Sequence, residues 1–143
     1  MPNHGVVGAF RTVHKALSER GLLVDVHPRP YRLEMFIEGR KGSTRIGHVT
    51  RAQLAIEDIE GAEQILLSRD MAHLFVIEEQ IEFEKALYYD QMDDWQEYLA
   101  RPKTGNVEAD TDVLDRSYER LLNGDVRIKL RQKLRATRLR RVE

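Results

Sequence analysis

Val6, Phe10, Val13 and Leu17 recur at helical spacing between a capping Asn3 and a stop at Gly21, which predicts an amphipathic helix over 5–20. Leu22, Val24 and Val26 then alternate with Leu23, Asp25 and His27 until Pro28 and Pro30 interrupt the run, as in a short edge strand. Tyr31, Leu33, Met35 and Ile37 alternate with Arg32, Glu34, Phe36 and Glu38, the pattern of a half-buried strand. A Gly39–Ser43 turn and a second extended run from Thr44 to Val49 complete an antiparallel hairpin with a basic tip. Thr50-Arg51-Ala52-Gln53 has the form of a capping box. The helix it opens turns Ala55, Ile59, Ala62 and Leu66 inward and Glu57, Asp58, Glu60 and Glu63 outward.

Residues 70–100 fit two patterns. His73 to Ile77 suits a fourth strand, whereas Leu74, Ile77, Ile81, Tyr88, Met92, Trp95 and Leu99 match one long helix capped by Asp70, and the helix is the expectation. Pro102-Lys103-Thr104-Gly105-Asn106 is a linker, and a further helix runs from about Thr111 to Leu122 and breaks at Asn123-Gly124. In the last stretch Val126, Leu130 and Leu134 form a helical stripe. Val126 to Arg131 also alternates as a strand would, and the Gln, Ala and Leu content beyond it tips the expectation to helix.

The expected fold is therefore α+β: a small three-stranded antiparallel sheet with flanking helices and a mostly helical C-terminal half. Residues 1–100 form an α+β globular domain, 101–110 a linker and 111–143 a C-terminal helical basic segment. Phe10, Val13, Leu17, Val24, Leu33, Met35, Ile37, Ile59, Leu66, Leu74, Ile81 and Trp95 make up the expected core.

Composition narrows the chemistry. A chain of 143 residues buries an adequate core without staples, and the absence of cysteine removes disulfides, thiolate metal sites and thiol nucleophiles. The first residues lack a secretory pattern and the longest apolar run, Leu74 to Ile77, is too short to cross a bilayer, so a cytoplasmic location without a membrane partner is expected. The net charge of −1 hides a strong asymmetry. Lys and Arg against Asp and Glu number 9 to 4 over residues 1–51, 2 to 13 over 52–100, and 8 to 2 over 125–143. Local fields, not the net charge, govern encounter with a charged partner.

That asymmetry supplies the candidate site. Arg127, Lys129, Arg131, Lys133, Arg135, Arg138, Arg140 and Arg141 would crowd the edges of a basic helix, and Arg40 and Lys41 at the hairpin tip, with Arg45 nearby, would extend the footprint. Arginine's planar fork suits phosphate oxygens, so a non-enzymatic protein engaging a polyanion, most of all nucleic acid, is the first expectation. The rival is an assembly subunit, of a virion or a homo-oligomer, whose basic tail docks on an acidic protein surface.

Other chemistry is weaker. Gly39 to Thr44 fails as a phosphate loop because its lysine precedes the second glycine. Glu78 and Glu82 would share a helix face able to hold a divalent cation, but no Glu-x-x-His partner follows, and a solvated acidic face is the plainer reading. The five histidines at 4, 14, 27, 48 and 73 lack zinc spacing, and no serine elbow occurs. No catalytic residue, metal ligand or cofactor is assigned, and enzymatic activity is not expected.

Overall fold

A computed structural model describes residues 2–51, 53–100 and 107–143. In chain order the elements are α1 (Pro2–Ala16), β1 (Leu22–Pro28), β2 (Leu33–Gly39), β3 (Gly42–Arg51), α2 (Gln53–Leu66), α3 (Arg69–Ala72), β4 (Phe75–Tyr89), α4 (Met92–Leu99), β5 (Val107–Glu108), α5 (Thr111–Asn123) and β6 (Val126–Arg141). The chain divides into two compact units. The first holds Met1–Arg29, Glu57–Phe83 and Leu134–Glu143, and the second holds Pro30–Ile56 and Glu84–Lys133.

In the second unit the strands pair antiparallel in the order β6-β2-β3-β5. Leu33, Met35 and Ile37 of β2 alternate inward and meet Val49 of β3, Ile128 and Leu130 of β6, and Trp95 and Tyr98 of α4 in one buried cluster. Val113, Leu114, Tyr118 and Leu121 of α5 pack against it. Each such fully buried side chain contributes about 1.5–3 kcal/mol. The indole N–H of Trp95 donates to Ser117 Oγ at 2.9 Å, and that hydroxyl donates to the Leu114 carbonyl at 2.6 Å, so a buried polar pair is satisfied between α4 and α5. The Met35/Phe36 register breaks at a β-bulge opposite Ile46 and Gly47. Gly47 has φ +158°, and a Cβ there would meet Val113 Cγ2 at 2.8 Å, so α5 lies directly on a backbone without a side chain.

In the first unit β1 pairs antiparallel with β6 from Leu22↔Arg140 to Pro28↔Leu134. Ile65 and Leu66 of α2, Met71 of α3, Phe75 of β4 and Leu139 of β6 form its core, with Val6, Phe10, Val13 and Leu17 of α1 packed on them. Gln80 Nε2 donates to the buried Thr137 hydroxyl at 3.1 Å.

The α+β class stands, but the three-stranded sheet and the mostly helical C-terminal half do not. Among the described residues there are six strands, and the two longest, β4 and β6, lie where a long acidic helix and a basic helix were expected. In 126–131 the period-2 pattern is the one that buries side chains: Ile128 and Leu130 go inward, while Arg127, Lys129 and Arg131 do not. A helix on the Val126–Leu130–Leu134 stripe would have left Ile128 and Leu139 outside. Pairing with β1, β2 and β4 also gives the β6 backbone its hydrogen bonds.

Smaller corrections follow. Thr50 and Arg51 pair with Glu108 and Val107 as the end of β3, so Thr50 is not a helix cap, and α2 begins at Gln53. Ala52 and the expected linker residues 101–106 lie outside the described residues. Of the expected core, Leu33, Met35, Ile37, Leu66 and Trp95 are buried, whereas Val24 and Ile81 are 57% and 53% exposed. Val24 sits on the solvent-turned face of β1, and Ile81 in the stretch of β4, 78–85, where successive residues are all exposed.

Candidate nucleic-acid interface

Because Val126–Arg141 is a strand and not a helix, its cations are shared between two faces and two units. In the first unit Arg135 donates to Glu82 at 2.9 Å, Arg138 donates to Glu78 at 3.0 Å and pairs with Glu79 at 3.4 Å, and Arg140 donates to Glu78 and to the Arg20 carbonyl. Arg141 donates to the Leu17 carbonyl. The acidic middle of the chain has become the neighbour of the basic end and pairs with Arg135, Arg138 and Arg140, while Arg141 is held by a backbone carbonyl. Hydrogen bonding from Arg140, with the Arg138 charge added, holds the Glu78 carboxyl below the usual glutamate range. Glu78 and Glu82 are thus arginine partners on β4, not a metal pair on a helix. Among the described residues no group of three His, Asp or Glu side chains is placed to hold a metal ion.

The first unit contains one further polar cluster. His27 is held at Nδ1 by Asp25, 2.6 Å away, and at Nε2 by Glu63, 3.2 Å away, and Arg29 donates to Glu63 and pairs with Glu82 at 3.1 Å. Both ring nitrogens lie within hydrogen-bonding distance of a carboxylate. The arrangement is an ion-pair network joining β1 to α2.

The second unit is different. The alternation that sends Leu33, Met35 and Ile37 inward leaves Glu34, Phe36 and Glu38 on the opposite, half-exposed face. Their register partners there are Arg131, Lys129 and Arg127 of β6, and His48 and Arg45 of β3. Arg45 and His48 are three apart in sequence and share this face because the bulge at Ile46–Gly47 absorbs one residue.

Aromatic rings lie under the cations. Arg127 stands 3.9 Å from the Tyr88 ring centre, Arg131 and Lys129 stand 5.2 and 5.7 Å from that of Phe36, and Lys133 stands 5.6 Å from that of Tyr31. Three carboxylates answer part of this charge. Arg127 donates to Glu38 at 2.9 Å and Lys129 reaches the same carboxylate at 3.7 Å. Arg131 donates to Glu34 and lies 3.6 Å from Glu84. The Arg127 hydrogen bond lowers the Glu38 carboxyl below its ordinary range and raises the Arg127 guanidinium.

Lys133 breaks the rule of the strand. It has no carboxylate partner among the described residues, and with Pro30, Tyr31, Arg32, Glu34, Arg45 and His48 it lines an open cleft of about 500 Å³. Arg32 and Arg45 also lack carboxylate partners among the described residues. The whole face, including the cleft, sets Arg32, Arg45, Arg127, Lys129, Arg131 and Lys133 against Glu34, Glu38, Glu84 and, near Arg127, Asp90.

The sequence-derived site thus separates into parts. Lys133 is uncompensated; Arg127, Lys129 and Arg131 are compensated but aromatic-backed; Arg135, Arg138, Arg140 and Arg141 are engaged in the first unit. Arg40 and Lys41 are exposed at the β2–β3 turn, beyond Gly39, which lies five residues along β2 from Glu34, about 17 Å at the usual strand rise. Arg40 lines a cleft of about 550 Å³ with Glu38, Asp90 and Asp125, which is not a cationic surface. Sequence reasoning missed Tyr31, Arg32, Phe36, His48 and Tyr88. The alternation over 31–38 already placed Arg32, Glu34, Phe36 and Glu38 on one face, and that was the available signal. Comparison of the chain with protein-family models, with curated proteins and with solved structures finds no match in any of the three.

Proposed function

We propose that the chain is a non-enzymatic binding protein that holds a flexible nucleic-acid strand on the half-exposed sheet face of its second unit. The observation that supports this is the surplus of cations over carboxylates on that face, with aromatic rings between them. Phosphates are drawn by the uncompensated charge, and unstacked bases find aromatic and guanidinium planes to lie on. The contact surface is a sheet in place of the basic helix expected from sequence, and its weight moves from the end of the chain to Arg32, Arg45, Lys133 and the rings of Tyr31, Phe36 and Tyr88. The test is fluorescence anisotropy with labelled ten-nucleotide thymidine and uridine strands across a salt series. Three phosphate contacts give a slope of log affinity against log salt of about −2 for a single strand. Binding that is absent at low salt, or that is indifferent to salt, overturns the reading.

One observation favours assembly as a second reading. Leu22, Val24 and Val26 are 47%, 57% and 54% exposed on β1, whose other edge has no strand partner among the described residues. A row of apolar side chains on an open edge strand suits pairing with β1 of a second copy. Light scattering separates the two readings. A dimer that Val24→Lys dissociates, with no oligonucleotide binding, selects assembly.

A further inference from the structure

We infer that the cleft lined by Tyr31, Arg32, Arg45, His48 and Lys133 is a subsite for the terminal phosphomonoester of a nucleic-acid strand. The inference rests on the nucleic-acid reading above and adds to it a preference for strand ends.

Charge distribution carries the argument. Elsewhere on β6 the lysines and arginines from Arg127 to Arg140 are met by a carboxylate of β2 or β4, and Lys133 is the exception among the described residues. It is brought to one cavity with two further uncompensated cations, Arg32 and Arg45. The single carboxylate lining the cleft, Glu34, accepts from Arg131, which also faces Glu84, so Glu34 offsets at most one of the three cleft cations. A phosphodiester inside a strand carries one negative charge. A phosphomonoester carries about −1.5 to −2 at neutral pH and presents three acceptor oxygens. Three cations around one cavity match the second charge and not the first, and two arginine forks supply donors in the geometry phosphate accepts.

Shape and stacking agree with a strand end. The open cleft of about 500 Å³ is within the range of small-ligand sites and has room for a terminal nucleotide. The Tyr31 ring on its rim is 48% exposed, a plane on which a terminal base stacks beside its phosphate. The bulge is what builds the site: Arg45 and His48 are three positions apart and regular alternation would set them on opposite faces of β3, but the bulge at Ile46–Gly47 absorbs one residue and places both on the same face.

The test compares three fluorescein-labelled ten-nucleotide thymidine strands: one with hydroxyls at both ends, one with a 5′-phosphate and one with a 3′-phosphate, the label on the opposite end. The expected result is that one phosphorylated strand binds at least about tenfold tighter than the unphosphorylated strand, the effect of one added charge-assisted contact. Lys133→Gln and Arg45→Gln remove that difference, with unchanged circular dichroism and with residual binding retained, while Arg40→Gln preserves it. Equal binding of all three strands overturns the inference and leaves the nucleic-acid reading intact. Failure of all three to bind overturns the reading itself. Thymidine 5′-monophosphate competing as well as the phosphorylated strand also overturns the inference, because the cleft would then recognise a free nucleotide and not a strand end.

Discussion

Arg138 of β6 donates its Nε–H to Glu78 of β4 across 3.0 Å, and in that one contact the most basic and the most acidic stretches of the chain neutralise each other. Arg140 donates to the same carboxylate. Glu78 therefore titrates below the usual glutamate range when folded, and Glu38 does so beside Arg127. A carboxyl whose pKa is lower in the folded state binds fewer protons there than in the unfolded chain. Its contribution is present above the unfolded value of about 4.3 and is lost as pH falls through the lower folded value. Urea midpoints measured from pH 6 to pH 3 should fall below about pH 4.5, and Glu78→Gln should flatten that fall. A midpoint that rises on acidification contradicts the arrangement.

Paired and unpaired cations should behave differently toward oligonucleotides. Arg138→Gln removes a guanidinium already held by Glu78 and Glu79 and should leave strand affinity within about twofold, since surface ion pairs carry little net energy. The double variant Arg45→Gln with Lys133→Gln should weaken binding and reduce the single-strand salt slope by about 1.4, the share of two phosphate contacts. Anisotropy titrations at three salt concentrations check both. Equal losses in the two variants would show that position on β6, and not freedom from carboxylates, governs the contact.

Ser117→Ala should cost about 1–3 kcal/mol in chemical denaturation, because the Trp95 indole N–H is wholly buried and loses its acceptor. Trp95 fluorescence should follow the same transition, being a probe inside the affected pair. A loss below about 0.3 kcal/mol would mean that the indole finds another acceptor.

Gly47→Ala should destabilise by about 1–3 kcal/mol, since the new Cβ falls 2.8 Å from Val113 Cγ2 and 3.0 Å from Cγ1. The double variant with Val113→Ala should recover part of that loss, as a shared steric contact requires. Additive costs in the double-mutant cycle would place the strain elsewhere.

Local pattern was sufficient for part of this protein. The β2–β3 hairpin, with Leu33, Met35 and Ile37 inward, was legible because one face of β2 is buried without interruption and the turn residues punctuate it. The same holds for α5 between its ends and for α1 as a helix, although α1 runs Pro2–Ala16, so that the expected cap Asn3 lies inside it and the expected stop Gly21 lies five residues past its end. The site was half legible: the basic end of the chain and its arginines were evident, but not their partners or the aromatic rings beneath them.

What tertiary structure decided is β4 and β6. The buried positions of β6 are even-numbered at Ile128 and Leu130 and odd-numbered at Thr137 and Leu139, so alternation fails over the full strand and a helical stripe can be drawn through it. Much of β4 is exposed, from Glu78 to Lys85, so burial imprints no period on that stretch, and its conformation follows from pairing with β6. Strand pairing joins residues about fifty to a hundred positions apart, as Glu78 with Arg138 and Glu34 with Arg131, and a window of local pattern contains only one member of each pair. Which cations are neutralised and which stay open is a property of those distant pairings. The sequence alone determined that the charges exist and are segregated; the fold determined which cations of the β6-β2-β3 face meet a carboxylate and that Lys133, Arg32 and Arg45, on that face, do not among the described residues.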